Sequence, residues 1–188
     1  MKLRRGFKKE TNEYAKEFRA ELRKKPFESL CPWSLAEHLS IPILKLSQLN
    51  DVEGAIQYLT LINQEVFSAV TVFNGRKRLI VHNDSHHPRR QAANISHELS
   101  HAILGHSPTP PFTDSGERFL NTKIQELENE ANWMGPALLI SEEAALYIVS
   151  KKMPLHEAVT LYGVSQQLIQ MRINVTGAKK RVSHYKQS

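Results

Sequence analysis

The stretch His97-Glu98-Leu99-Ser100-His101 sets two imidazoles four residues apart, with a carboxylate beside the first. On an α-helix, residues i and i+4 stack on one face, so His97 and His101 can present ring nitrogens to a single ion. Two neutral imidazoles suit Zn2+, with Zn–N distances of about 2.0–2.1 Å. Glu98 sits where its carboxylate can take a proton from a water acidified by that ion, which is the chemistry of metal-assisted hydrolysis. A catalytic zinc site needs three protein ligands and one open position, so another element must supply the third. Gln125-Glu126-Leu127-Glu128-Asn129-Glu130-Ala131-Asn132 is the richest downstream source, and Glu128 follows His101 by 27 residues. Glu126 and Glu130 compete with it. Spacing alone leaves Glu128 and Glu130 both open, because acidic helices are usually solvated faces. If Glu128 faces the metal, Asn132 at i+4 shares its face and can orient a ligand. The one cysteine, Cys31, lies in Leu30-Cys31-Pro32-Trp33 with no base nearby in sequence; a small buried apolar residue is expected rather than a thiol nucleophile.

Hydropathy patterning supplies the elements that must carry these groups. Ala92, Ile95, Leu99 and Ile103 recur at helical spacing, Pro88 suits a first helical turn, and Gly105 a C′ position. Before them the period is two. Phe67, Ala69, Thr71 and Phe73 alternate with Ser68, Val70, Val72 and Asn74; Asn74-Gly75 signals a turn, and Leu79-Ile80-Val81-His82 resumes as a strand. This predicts a β-hairpin, with the basic Arg76-Lys77-Arg78 favouring a turn longer than two residues. Residues 107–116 form the clearest loop, and a helical pattern then runs from about 117 to 150. Upstream, a helix over 8–25 carries a stripe of Tyr14, Phe18 and Leu22 and ends at Pro26. A short helix over 33–39, a β-like run over 41–46, and a helix over 51–63 with Ile56, Leu59 and Ile62 on one side complete the N-terminal half. A last helical region covers 154–173, broken near Gly163, and a basic tail follows.

The 188 residues suit one domain, or one domain with a helical appendage. Apolar content of 40% and charged content of 23% are ordinary globular values. The net charge of +6 is concentrated at Lys2, Arg4, Arg5, Lys8 and Lys9 and at Lys179, Lys180, Arg181 and Lys186, which are expected to be solvated tails. The N-terminus lacks an apolar signal region, no run approaches 18 apolar residues, and a lone cysteine fits a reducing compartment, so the expected address is the cytoplasm.

The stretch Leu79 to His106, LIVHNDSHHPRRQAANISHELSHAILGH, resembles the core of the ImmA/IrrE family of metallo-endopeptidases: a strand ending in an Asn-containing turn, an Arg-Gln pair, then the H-E-x-x-H helix. Residues 128–141, ENEANWMGPALLIS, resemble that family's second block, E-x-x-A-N-x-F-A-x-x-L-L-M-P. Residues 35–43 resemble its early helix–strand segment, and Leu161-Tyr162-Gly163-Val164-Ser165, with Arg172 following, its C-terminal helical segment. The resemblance covers roughly residues 30–175. It implies that His97, His101 and Glu128 are the metal ligands, because Glu128 fills the leading position of the second block, and that Glu98 is the catalytic acid/base. Met134, Gly135 and Ile140-Ser141 depart from the family pattern, and Pro136 is unusual inside a helix.

Together these imply an α+β, zincin-like fold, in which a small antiparallel or mixed sheet with a β-hairpin packs against the H-E-x-x-H helix and further helices. The expected organisation is an N-terminal helical extension over 1–29, a metallopeptidase domain over 30–150, and a C-terminal helical segment with a basic tail over 151–188. The resemblance implies Zn2+-dependent cleavage of a repressor or other regulatory protein of a mobile element, prophage or stress regulon. The competing readings are a metal-bound, antitoxin-like partner of a DNA-binding protein that does not cut, and a helix-turn-helix over 154–173 with Gln166, Gln167, Gln170 and Arg172 on its reading helix. For that segment a cap packing Leu155, Val159, Leu168 and Ile169 is favoured, and direct nucleic-acid binding is not expected. His106, Arg118, Tyr147 and His156 are candidate oxyanion donors, and the strand edge near 79–83 a candidate substrate platform.

Overall fold

The computed structural model describes residues 2–49, 53–74, 77–106 and 122–185. At its centre is α4 (Pro88–Ile103), with Pro88 in its first turn, the His87 ring accepting from the Arg89 amide at 3.2 Å, and Gly105 at φ 66° just past its end. Ala92, Ile95 and Leu99 bury one face. Ser96 and Ser100 are buried beside them, each with its hydroxyl satisfied: Ser96 by the Gly135 carbonyl at 3.0 Å and Ser100 by the Ser96 carbonyl at 2.8 Å. These small residues admit α5 (Thr122–Leu139) at close range. A Cβ placed on Gly135 would lie 3.2 Å from the His97 nitrogen.

Three strands, β1 (Ile43–Lys45), β2 (Ala69–Asn74) and β3 (Lys77–His82), form a mixed sheet in the order β1-β3-β2. β3 runs parallel to β1 and antiparallel to β2. Asn74 pairs with Lys77, so the hairpin connection is two residues and not longer. Lys77 and Arg78 belong to the strand, because Arg78 has partners there: its guanidinium lies over the Phe73 ring at 5.2 Å and donates to the Ala102 carbonyl at 2.8 Å. The central place of β3 also means that residues 80–82 of the edge expected near 79–83 are paired on both sides; the outer strands are β1 and β2.

The helix predicted over 8–25 is α1 (Phe7–Glu21). It stops short of Pro26, and Arg23 at φ 56° follows it. Its Phe7 and Phe18 share one core with Leu35, Ile80, Ile95, Leu99, Met134 and Leu138, while Tyr14 and Leu22 flank that core. α2 (Pro32–His38) begins after Cys31, which occupies the cap position in an extended conformation and is exposed, not buried, because it lies outside the helical face that packs Leu35 and Ala36. The segment predicted as one helix over 51–63 is α3 (Glu53–Gln57) widening into a π-type turn over Tyr58–Ile62. The changed pitch turns Ile62 outward, to 72% exposure, so of the apolar side expected there Ile56 and Leu59 are half-buried and Ile62 is not.

The helix predicted over 117–150 is two helices in its described part. α5 ends at Leu139, and α6 (Glu142–Ser150) is capped by Ser141, whose hydroxyl accepts from the Ala144 amide at 3.0 Å. The expected loop at 107–116 and Arg118 lie outside the described residues. α7 (Leu155–Tyr162) and α8 (Gln166–Val175) meet at Gly163, φ 64°. With α6 they enclose a second core containing Ile148, Val159, Val164, Ile169 and Ile173, against which Leu155 and Leu168 pack. The expected basic tail is largely a further helix, α9 (Ala178–Tyr185): Ala178 is buried, and Arg181 pairs with Glu142 at 2.5 Å. The basic N-terminus is engaged as well, with Arg4 paired to Glu10 and Glu130 and Lys8 over the Trp133 ring.

Two buried arginines close the α5–α6 junction. Arg19 donates to the carbonyls of Leu138 and Leu139, and Arg172 to that of Ile140, at the helix end where backbone acceptors lack intrahelical partners. Burial brings each guanidinium down to about 10. No described helix is long and apolar enough to cross a membrane.

Candidate metal centre

His97 and His101 lie on the face of α4 turned toward α5, and the close contact at Gly135 brings α5 near enough for Glu128 to reach them. His97 Nε2 and His101 Nε2 are 3.1 Å apart. Each stands 3.4 Å from a different Glu128 oxygen. Ligand atoms about 2.0–2.1 Å from a tetrahedral centre are separated by roughly 3.3 Å. The two imidazole nitrogens converge on the Glu128 carboxylate, whose Oε2 faces His97 and Oε1 faces His101, and this donor set fits a small divalent ion. Among the described residues this is the one His/Glu group of that kind.

The adjoining His101 and His97 rings hold the Glu128 carboxyl well below its usual range and outweigh its burial, so it is ionised at neutral pH. Burial pushes His97 down, but the hydrogen bond with Glu128 and the charges of Glu98 and Glu128 prevail, and its net shift is upward. Asn132 also lies within hydrogen-bonding reach of His97, as its i+4 relation to Glu128 suggested. Glu98 reaches the sheet: the Thr71 hydroxyl, on β2, donates to Glu98 Oε2 at 2.6 Å. The β2 alternation explains why, since Thr71 faces α4 while Val70 and Val72 turn outward. Thr71 had no sequence signal as a site residue beyond that alternation.

Glu130 faces away from the metal group: it meets His106 Nε2 at 3.3 Å and Arg4 Nε at 3.0 Å. Glu126 is exposed. His106 is not placed as an oxyanion donor, because its ring stands behind His101, with the two Nδ1 atoms 2.9 Å apart. Tyr147 is stacked on Phe27 at 4.4 Å, and His156 is exposed on α7. Arg172 cannot serve a reading helix, because its side chain is buried against Ile140.

The Asn-containing turn and the Arg-Gln pair before the metal group make long-range hydrogen bonds. Buried Asn83 donates to the Leu59 and Phe67 carbonyls and accepts from the Ser85 amide and hydroxyl. Gln91 donates to the Asp84 and His86 carbonyls, and Arg90 to Glu65 and Ser68. The Asn turn and the Arg-Gln pair thus fix the entry of α4 against the 58–68 segment.

No curated protein matches the chain. Residues 36–174 match the peptidase family described as the IrrE N-terminal-like domain. Because that match takes in both helices of the His/Glu group and most of the chain, the protein belongs to the ImmA/IrrE family of metallopeptidases.

Proposed function

We propose that the chain is a zinc-dependent endopeptidase in which His97, His101 and Glu128 hold the ion and Glu98 moves the proton. The observation that carries this reading is the convergence of His97 Nε2 and His101 Nε2, 3.1 Å apart, on the Glu128 carboxylate, one oxygen of which lies 3.4 Å from each, in a two-histidine, one-glutamate set that suits zinc. A bound zinc ion supplies Lewis acidity at the scissile carbonyl and acidifies water toward neutral pH. Glu98, with Oε2 held by Thr71, has a fixed carboxylate plane, so Oε1 takes the proton of the attacking water and returns it to the leaving amine. Asn132 steadies His97 from α5. The outer strand β2 offers main-chain groups to an extended peptide passing beside Glu98.

Family membership supports a substrate of regulatory character, a DNA-binding repressor of a mobile element, prophage or stress regulon, cut in the cytoplasm. The test pairs metal analysis with Glu98→Gln. One zinc per chain is expected in both forms. Cleavage of a co-encoded DNA-binding regulator should fall by about 100-fold or more in the variant. Equal cleavage by the variant removes Glu98 from its role. Tight binding of an uncut regulator by the zinc-loaded wild type makes the chain a non-cleaving partner.

A further inference from the structure

We infer that Arg4, Glu130 and His106 form a positioning relay that fixes the tautomer of His101, so that His101 Nε2 presents a bare lone pair to the metal. The inference rests on the metal site proposed above and extends it to a part of the chain outside the family match.

Arg4 Nε donates to Glu130 Oε1 at 3.0 Å, and the rest of its guanidinium is paired with Glu10 at 2.6–2.7 Å. The other Glu130 oxygen, Oε2, faces His106 Nε2 at 3.3 Å. A carboxylate held by a guanidinium can only accept, so the proton between Glu130 and His106 belongs to His106 Nε2. A neutral imidazole carries one N–H, which makes His106 Nδ1 an acceptor. His106 Nδ1 and His101 Nδ1 are 2.9 Å apart, a distance that holds one shared proton, and it must be carried by His101. The proton on His101 is thereby assigned to Nδ1, and Nε2, which faces His97 and Glu128, is left as a donor of electrons.

The relay is shielded. The side chain of His106 is 5% exposed and that of Glu130 14%, so water is a poor substitute for either partner. Arg4 is half exposed and belongs to the segment before α1, ahead of the family-matched residues 36–174. The two acids that spacing left open on α5 thus divide the work. Glu128 supplies a ligand atom, and Glu130 aims the histidine behind it.

The test uses the full chain, stripped of metal and then titrated with zinc against a chelating dye, as wild type and as His106→Phe, His106→Gln and Arg4→Ala. Long-range proton–nitrogen correlations on the metal-free protein read the His101 tautomer directly. Wild type is expected to carry its proton on Nδ1. His106→Phe should lose that preference and bind zinc about 10–100-fold more weakly. His106→Gln should rescue both, because its amide can accept from His101 and donate to Glu130. Arg4→Ala, a surface change, should weaken zinc binding about two- to fivefold. A wild-type His101 protonated on Nε2, or zinc affinity in His106→Phe within twofold of wild type, overturns the relay. Should His106→Phe not fold, unchanged zinc affinity and an unchanged His101 tautomer in Arg4→Ala overturn it instead. If wild type takes up no zinc at all, the metal reading fails, and the tautomer measurement alone decides the relay.

Discussion

Replacing Arg19 by methionine keeps much of the buried hydrocarbon and removes the guanidinium. That group donates to the carbonyls of Ala15 at 2.9 Å, Glu28 at 2.8 Å, Leu138 at 2.9 Å and Leu139 at 3.2 Å, and the residue is fully buried. Burial has brought it from 12.5 to about 10, so holding the charge there costs about 3 kcal/mol more than in water. Against this stand four hydrogen bonds from a charged donor, each giving about 1.5–3 kcal/mol. The bonds win, and Arg19→Met is expected to destabilise the chain by about 3–5 kcal/mol. Arg172 makes the instructive contrast. Burial depresses it to about 10 against the attraction of Glu142, but among the described residues its side chain makes one hydrogen bond, from Nε to the Ile140 carbonyl at 2.9 Å, beside a Trp133 ring 5.8 Å away. One such bond roughly offsets the cost of the charge, so Arg172→Met should change stability by no more than about 1 kcal/mol. Urea unfolding of the zinc-free chain at pH 7, followed by circular dichroism, measures both. Glu128 lies about 15 Å along α5 from Leu138, so folded Arg19→Met should bind metal as wild type does. A loss below 1 kcal/mol for Arg19→Met, or an equal loss for Arg172→Met, refutes the reasoning.

The metal group also sets a pH window. Glu128 is depressed, so its contribution is present above its unfolded value of 4.5 and lost as pH falls through the lower folded value. His97 is raised, so its contribution is complete below its unfolded value of 6.5 and lost as pH rises through the higher folded one. The stability gap between zinc-free wild type and Glu128→Gln should therefore be widest at about pH 5–6 and narrow toward pH 8.5; a gap that keeps growing to pH 8.5 contradicts this sign. At Gly135, a Cβ would stand 3.2 Å from the His97 nitrogen and 3.3 Å from its Cα. Gly135→Ala asks for a shift of a few tenths of an ångström, offset by a gain in helix propensity of about 1 kcal/mol, and should be near neutral. Gly135→Val should force α4 and α5 apart, cost about 1–3 kcal/mol by thermal unfolding and weaken zinc binding by about tenfold or more. Full zinc affinity in Gly135→Val would show that the helix contact does not set the Glu128 distance.

The parts of this protein governed by local periodicity were legible before any coordinates. The i,i+4 histidines, the Thr71 face of β2, Pro88 at the start of α4 and Gly105 at its end all follow from repeat lengths of 3.6 and 2 and from backbone preferences. What escaped depends on partners distant in sequence. Lys77 and Arg78 resemble turn residues until Phe73 and the Ala102 carbonyl are seen to hold Arg78. Terminal lysines and arginines resemble tails until Glu130 and Glu142 are found waiting for Arg4 and Arg181. The Ile140-Ser141 break was hidden because the apolar pattern continues across it, while two arginines from α1 and α8 make it stable.

The same distinction explains why two ligands were read from spacing and the third was not. One turn of helix suffices to put His97 beside His101. Glu128 comes within 3.4 Å of them only because α4 presents Ser96 and Ser100, and α5 presents Ala131 and Gly135, where larger side chains would hold the axes apart. With the axes this close, Glu128 and Glu130, two residues apart on α5, meet opposite sides of the His101 ring: one its Nε2, the other His106 behind its Nδ1. The choice between the two acids is therefore a property of the interhelical distance. Any substitution that widens the α4–α5 contact should loosen the ligand and its support together.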